Sequence, residues 1–152
     1  MDNKLNFNMH VAETIKSCNQ ILFAMKTMKT FGMPPKHLCN IFKSIVLSKL
    51  LYASPAWYGY LSAESIGRLQ SFLRKAIKFG YYGENILNIE TLQENIELKL
   101  FNNIRFNAQH SLHFLLPPEK PPKYDLRPRG HNFTLPEKDN KNFIPRSIFK
   151  NR

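Results

Sequence analysis

The sequence predicts a mainly α fold: a small bundle of about four helices over residues 1–116, followed by an extended, proline-rich basic tail over 117–152. Three observations carry this expectation. Apolar residues recur at helical spacing in four stretches of the first 116 residues. No stretch alternates apolar and polar residues as a half-buried strand does, and no internal repeat is visible. Seven of the ten prolines, Pro117, Pro118, Pro121, Pro122, Pro128, Pro136 and Pro145, fall in the last 36 residues. Each removes a backbone donor and biases its predecessor toward extended geometry, so long helices are excluded from most of that stretch.

The first helix is expected from about Asn8 to Phe31. Val11, Ile15, Cys18, Leu22 and Met25 are spaced 4-3-4-3 on one face. Lys29 interrupts the series, which favours packing on a neighbouring helix over a long coiled coil. Gly32 then provides a stop that tolerates the left-handed cap conformation. Pro34-Pro35 opens a second helix, from about Pro35 to Tyr52, because a first-turn proline has no N–H to leave unpaired. Leu38, Ile41, Phe42, Ile45, Val46, Leu47, Leu50 and Leu51 make it apolar nearly all round, as expected of a buried bundle centre. Ser62 is a good N-cap for a third helix running to about Phe79, with Ile66, Leu69, Phe72, Leu73, Ala76 and Ile77 as its apolar face. A fourth helix, about Glu90 to Leu112, is read from Leu92, Ile96, Leu100, Ile104, Ala108 and Leu112.

The chain carries 22 Lys and Arg against 11 Asp and Glu, a net charge of +11, which points to a polyanionic partner. Its 43% of hydrophobic residues are enough for a core. No apolar run is long enough to span a membrane, and the N-terminus lacks the order of a secretory signal peptide. Two cysteines, Cys18 and Cys39, make neither a disulfide scaffold nor a four-ligand zinc site, and are expected as buried thiols in a reducing compartment.

No set of reacting groups stands out. Asp occurs only at Asp2, Asp125 and Asp139. Glu90, Glu94 and Glu97 fall within two turns of one helix and are expected as a solvated acidic turn. His110 and His113 have a metal-compatible i, i+3 spacing but no neighbouring ligand, and Cys18 has no base placed for it by spacing. No cofactor is expected. The basic residues are more informative. Arg68, Arg74, Lys75 and Lys78 are expected opposite the apolar face of the third helix, where they form a phosphate-contacting surface. The tail adds Lys123, Arg127, Arg129 and Arg146 as further candidates. Its cations interleave with Tyr124, Phe133, Phe143 and Phe149, which either stack on bases or anchor the tail as a strap on the helices.

Four stretches, taken in order, carry a resemblance. They are Asp2-Asn3-Lys4-Leu5-Asn6-Phe7-Asn8-Met9-His10-Val11; Leu51-Tyr52-Ala53-Ser54-Pro55-Ala56-Trp57; Arg68-Leu69-Gln70-Ser71-Phe72-Leu73-Arg74-Lys75-Ala76; and Tyr124-Asp125-Leu126-Arg127-Pro128-Arg129-Gly130-His131-Asn132-Phe133, followed by Leu135-Pro136 and Phe143-Ile144-Pro145-Arg146-Ser147-Ile148-Phe149. Together they resemble the C-terminal part of a non-LTR retrotransposon (LINE-like) reverse transcriptase of the jockey or CR1 kind. The resemblance implies a thumb-like helical region gripping RNA or a template–primer RNA–DNA duplex, followed by a terminal tail. The polymerase's Asp-Asp pair would lie before Met1, in the palm, so no catalytic residue carries over, and the zinc knuckle of some such proteins is absent.

The expected function is thus a non-catalytic fragment of an RNA-directed DNA polymerase with residual nucleic-acid binding. The palm of a parent enzyme is its implied protein partner, and self-association through the undocked apolar surface is expected. An intracellular location follows, with nuclear access implied by the resemblance. Two other classes compete: a helical protein–protein interaction module with a proline-rich strap, and a cationic membrane-surface binder.

Overall fold

The computed structural model describes residues 7–82, 88–120 and 130–152. It is mainly helical: α1 (Asn8–Thr30), α2 (Pro35–Ile41), a π-helical turn (Phe42–Leu47), α3 (Ser48–Leu50), α4 (Ser54–Trp57), a 3₁₀ turn (Tyr58–Tyr60), α5 (Ala63–Lys78), α6 (Ile89–Phe106), a second 3₁₀ turn (His113–Leu115) and α7 (Phe143–Lys150). Among the described residues no helix is long and apolar enough to cross a membrane. The chain forms two compact units, one up to Gln93 and one from Glu94 onward. The division therefore falls inside α6, not at the composition change near residue 117.

In the first unit the two main helices end as the sequence leads one to expect. Gly32 (φ +83°) and Gly80 (φ +75°) sit just past α1 and α5 in left-handed geometry. Behind them Met33 N–H reaches Met28 O and Tyr81 N–H reaches Ala76 O, both 3.1 Å, so each end is a Schellman cap. Ser62 caps α5 through Ser65 N–H, 3.2 Å from Ser62 Oγ.

Hydrogen bonds tie α1 to α5 at three heights. Ser65 Oγ donates to Asn8 Oδ1 at 2.7 Å, Lys75 Nζ to Asn19 Oδ1 at 3.1 Å, and Lys29 Nζ to the Phe79 carbonyl at 2.8 Å. The numbers rise together, so the helices run parallel. Lys29, which breaks the apolar series of α1, neutralises an otherwise orphaned carbonyl at the end of α5. The core between them contains Val11, Cys18, Leu22, Met25, Leu69, Phe72, Leu73 and Ala76.

The second predicted helix is interrupted. α2 passes through the π-helical turn before α3, and Ile45 is 49% exposed, so this segment has a solvent side. The Cys18 thiol faces the Val46 carbonyl at 4.0 Å. Ala53, the one described non-glycine residue with positive φ (+50°), turns the chain into α4. There Trp57 Nε1 donates to the Tyr52 carbonyl at 2.9 Å, and the indole meets the His10 ring edge-on at 5.5 Å. Cys39 is only half-buried, which corrects the expectation of two buried thiols.

The second unit departs further from expectation. α6 ends at Phe106, six residues before the predicted Leu112. Asn107 Oδ1 accepts from Gln109 N–H at 3.0 Å, and the competing local turn ends the helix. The buried face of α6 is Ile89, Gln93, Glu97, Phe101 and Ile104; of the predicted stripe Ile104 is buried, Leu92, Ile96 and Leu100 are half-buried, and Ala108 and Leu112 lie past the helix end. The described residues 117–120 and 130–152 are not a free extended tail. Lys120 N–H bonds Asn132 O at 2.8 Å and Thr134 N–H bonds Pro118 O at 2.9 Å around an isolated antiparallel bridge. His131, 3% exposed, accepts from Phe133 N–H (3.2 Å) and donates from Nε2 to Ile148 O (2.7 Å). Phe133 and His131 both pack on Phe101. α7 forms despite Pro145 because the proline lies in its first turn, where no donor is lost.

Asp139 organises the entry to α7. Its Oδ1 accepts from the backbone N–H of Lys141 (2.7 Å) and Asn142 (3.3 Å), and its Oδ2 from Asn142 Nδ2 (2.5 Å). The Lys141 N–H bond above all, then the Asn142 amide, holds its carboxyl below the usual carboxylate range. A depressed carboxylate stabilises the fold fully above the ordinary carboxylate pKa, and loses that contribution as pH falls through its own lower value. Acid titration of unfolding should therefore show a shallower low-pH loss for Asp139→Asn than for the unaltered chain. Equal slopes would remove this role for Asp139.

Candidate nucleic-acid interface

The cations of α5 do not share one side. At about 100° per residue, Arg74 and Lys78 lie opposite the buried face of Ser65, Leu69, Leu73 and Ala76. Arg68 and Lys75 lie roughly a quarter-turn away, on the flank that meets α1. This corrects the expectation that all four gather opposite the core. All four are exposed. Lys75 is held by Asn19, and Arg68, Arg74 and Lys78 have no ion pair among the described residues.

On the α1 side, Arg68 and Lys75 border an open groove. It is made of two adjoining recesses that share Ile15, Asn19 and Arg68: Ala12, Lys16, Gln20 and Phe23 line one, and Glu64, Gly67, Ser71, Phe72 and Lys75 line the other. Phe23 is 72% exposed in the first recess. The parallel pairing of α1 and α5 also brings their C-terminal ends to one pole, so Lys26 and Lys29 on α1 join Lys75 and Lys78 on α5 there.

The first unit is one-sided in charge. Its described residues include Lys16, Lys26, Lys29, Lys36, Lys43, Lys49, Arg68, Arg74, Lys75 and Lys78 against Glu13, Glu64 and Glu90. No ion pair forms among them. Lys29 and Lys49 are used internally, on Phe79 O and on Ser17 Oγ, and Lys43 lies 5.0 Å from the centre of the Tyr82 ring.

The second unit holds the two ion pairs found among the described residues, at Arg146 and Lys150, while Lys99, Lys120, Lys138, Lys141 and Arg152 form none. Arg146 is not presented to solvent: its side chain is 14% exposed and donates to Glu97 Oε1 (2.7 Å), Lys141 O (2.6 Å) and Asn140 O (3.1 Å). The guanidinium has docked α7 on α6 and is not available as a phosphate contact. Glu97, expected in a solvated turn, is 4% exposed as its partner. Lys150 pairs with Glu94 at 2.8 Å in solvent, so α6 and α7 run antiparallel. Lys123, Arg127 and Arg129 lie outside the described residues, as does Tyr124.

The histidine pair has a local explanation. His113 Nδ1 is 2.7 Å from Ile104 O, and His110 Nδ1 accepts from Leu112 N–H at 3.1 Å, so both ring nitrogens nearest the backbone close off the end of α6. Among the described residues no three His, Cys, Asp or Glu side chains are grouped to hold a metal ion. Burial pushes the Cys18 thiol up, against a smaller opposite pull from Lys49, which makes it a poor nucleophile.

Reading the sequence passed over Lys16, Gln20 and Phe23. Phe23 stands between the core positions Leu22 and Met25, and the signal that could have found it is its place on the same side of the helix as Lys16 and Gln20, two turns and one turn earlier. Comparison of the chain with family models, curated proteins and solved structures finds no match.

The two ion pairs of the second unit should behave differently. Glu97→Gln leaves Arg146 buried without its counter-charge, and a cost of about 3 kcal/mol is expected in denaturant unfolding. Glu94→Gln at the exposed pair should cost less than about 1 kcal/mol. Equal effects at the two sites would contradict the assignment of Arg146 as the buried tie.

Proposed function

We propose that the chain is a non-catalytic, thumb-like nucleic-acid-binding module of the kind found in non-LTR reverse transcriptases, and that its first unit holds RNA or a template–primer duplex by the phosphates. One observation carries the reading. Among the described residues the first unit sets ten Lys and Arg against three Glu with no ion pair, and on α5 Arg68, Arg74 and Lys78 are exposed without a carboxylate partner. Keeping Arg74 and Lys78 one turn apart on the outer face of α5, without a carboxylate partner among the described residues, costs self-repulsion, which an anionic ligand relieves. The motif-bearing stretches add support: His10 and Trp57 meet edge-on, and Leu69, Phe72, Leu73 and Ala76 supply the core between α1 and α5.

A polymerase role for the chain alone is no part of this proposal, since the sequence holds no Asp-Asp pair. In the second unit Phe106, Phe114 and Leu115 are 75%, 80% and 50% exposed. These favour one addition, an apolar surface for a further protein segment, which in the resembling polymerases is the palm. Sedimentation at rising concentration should then show self-association, which Phe106→Ser with Phe114→Ser reduces. A concentration-independent monomer argues against that surface.

Phosphate binding is read from salt dependence. Affinity for an RNA–DNA duplex should fall steeply with salt. Arg74→Gln, Lys75→Gln and Lys78→Gln together should flatten the log–log slope by about 2 to 3, at about 0.9 per lost duplex phosphate contact. A slope near zero for the unaltered chain defeats the proposal. An unchanged slope in the triple variant moves the contacts off α5.

A further inference from the structure

The groove between α1 and α5 holds a combination that phosphate binding alone does not require. Phe23 is 72% exposed on the α1 wall, in line with Gln20 and Lys16 one and two turns earlier. Arg68 lines the same recess, and Lys75, bonded to Asn19 at 3.1 Å, lines the adjoining one. Glu64 is the one carboxylate among the lining side chains.

An exposed Phe on a helix wall costs hydration free energy and contributes nothing to the core next to it, which Leu22 and Met25 already fill. A duplex presents phosphates and grooves to a protein, and its bases are stacked on each other. An unpaired base presents a π-face, and stacking on an aromatic side chain between cations is how single strands are held without sequence readout. The open Gln20 amide has both a donor and an acceptor for a base edge. The sign of the charges separates this occupant from an ordinary apolar protein segment, because Lys16 and Arg68 line the same recess as Phe23 and Lys75 lines the adjoining one.

We propose that the α1–α5 groove takes an unpaired stretch of nucleic acid, with one base stacked on Phe23 and the adjoining phosphates met by Lys16, Arg68 and Lys75. This rests on the phosphate-binding reading above and names its partner more closely: the groove selects single-stranded over duplex ligand. The contacts with the strand are non-covalent, and Phe23 is the residue that distinguishes base from backbone.

The test uses the full chain with fluorescein-labelled oligo(U) of 12 nucleotides, a 12-base-pair RNA–DNA duplex and a 12-residue oligo-glutamate peptide. Phe23 is exposed, so Phe23→Ala and Phe23→Trp are expected to fold, and their melting is compared with the unaltered chain first. Phe23→Ala should weaken oligo(U) about tenfold, within the range for loss of one base–aromatic stack, with its salt slope unchanged and duplex affinity unaltered. Phe23→Trp should retain affinity and show indole emission quenched by oligo(U), the buried Trp57 serving as a constant background. Full oligo(U) affinity in Phe23→Ala, while the α5 triple variant still flattens the salt slope, overturns the groove and leaves phosphate binding standing. Loss of neither effect overturns both. Oligo-glutamate binding as tightly as oligo(U), with the same dependence on Phe23, overturns the nucleic-acid occupant in favour of an acidic protein segment.

Discussion

The parallel pairing of α1 and α5 is the constraint from which the first unit follows. Asn8 to Ser65, Asn19 to Lys75 and Lys29 to the Phe79 carbonyl fix the two helices at three heights, and Leu22, Met25, Leu69 and Leu73 fill the space between them. Two parallel helices place both C-terminal ends at one pole. Their dipoles favour cations there, so Lys29, Lys75 and Lys78 stabilise the ends as well as charging the surface. The same pairing leaves Lys16 and Phe23 on one wall of a groove and Arg68 on the other.

Arg146 and the cations of α5 are treated in opposite ways: one is buried in an ion pair, the others stay exposed without a carboxylate partner among the described residues. Burying Arg146 is tolerable only because Glu97 and two carbonyls replace its water. It fixes α7 on α6 at the expense of a charge that would otherwise face solvent. Arg68, Arg74 and Lys78 have no such partner in the described structure and keep their full field outside the protein. One cation near the end of a basic sequence thus serves the fold, while Arg68, Arg74 and Lys78 of α5 stay exposed.

Much of the first unit was legible in the sequence because its signals are local. Ser62, Gly32 and Gly80 mark helix ends through backbone chemistry that no distant residue alters, and the α1 face at Val11, Cys18, Leu22 and Met25 follows spacing alone. The π-helical turn at Phe42–Leu47 has no such marker, since the residues are apolar throughout. On α6 the buried centre is polar, at Gln93 and Glu97, so a hydrophobic pattern finds the stripe beside it. Glu97 is buried only because Arg146 arrives from 49 residues away. Proline misleads at α7 for a positional reason: Pro145 excludes a helix interior but suits a first turn. For the candidate interface, the cations of α5 were visible as a group. Their division between an outer face and the groove depends on where α1 packs, and with it the part played by Phe23.

The central claim is that the α1–α5 surface, and not the second unit, meets the polyanion. Residue-by-residue NMR of the amide signals during titration with a short RNA tests it most directly. The account predicts saturable shifts concentrated on α1 around Lys16 to Phe23 and on α5 from Arg68 to Lys78. Shifts confined to residues after Gln93, or none on either helix, would contradict it.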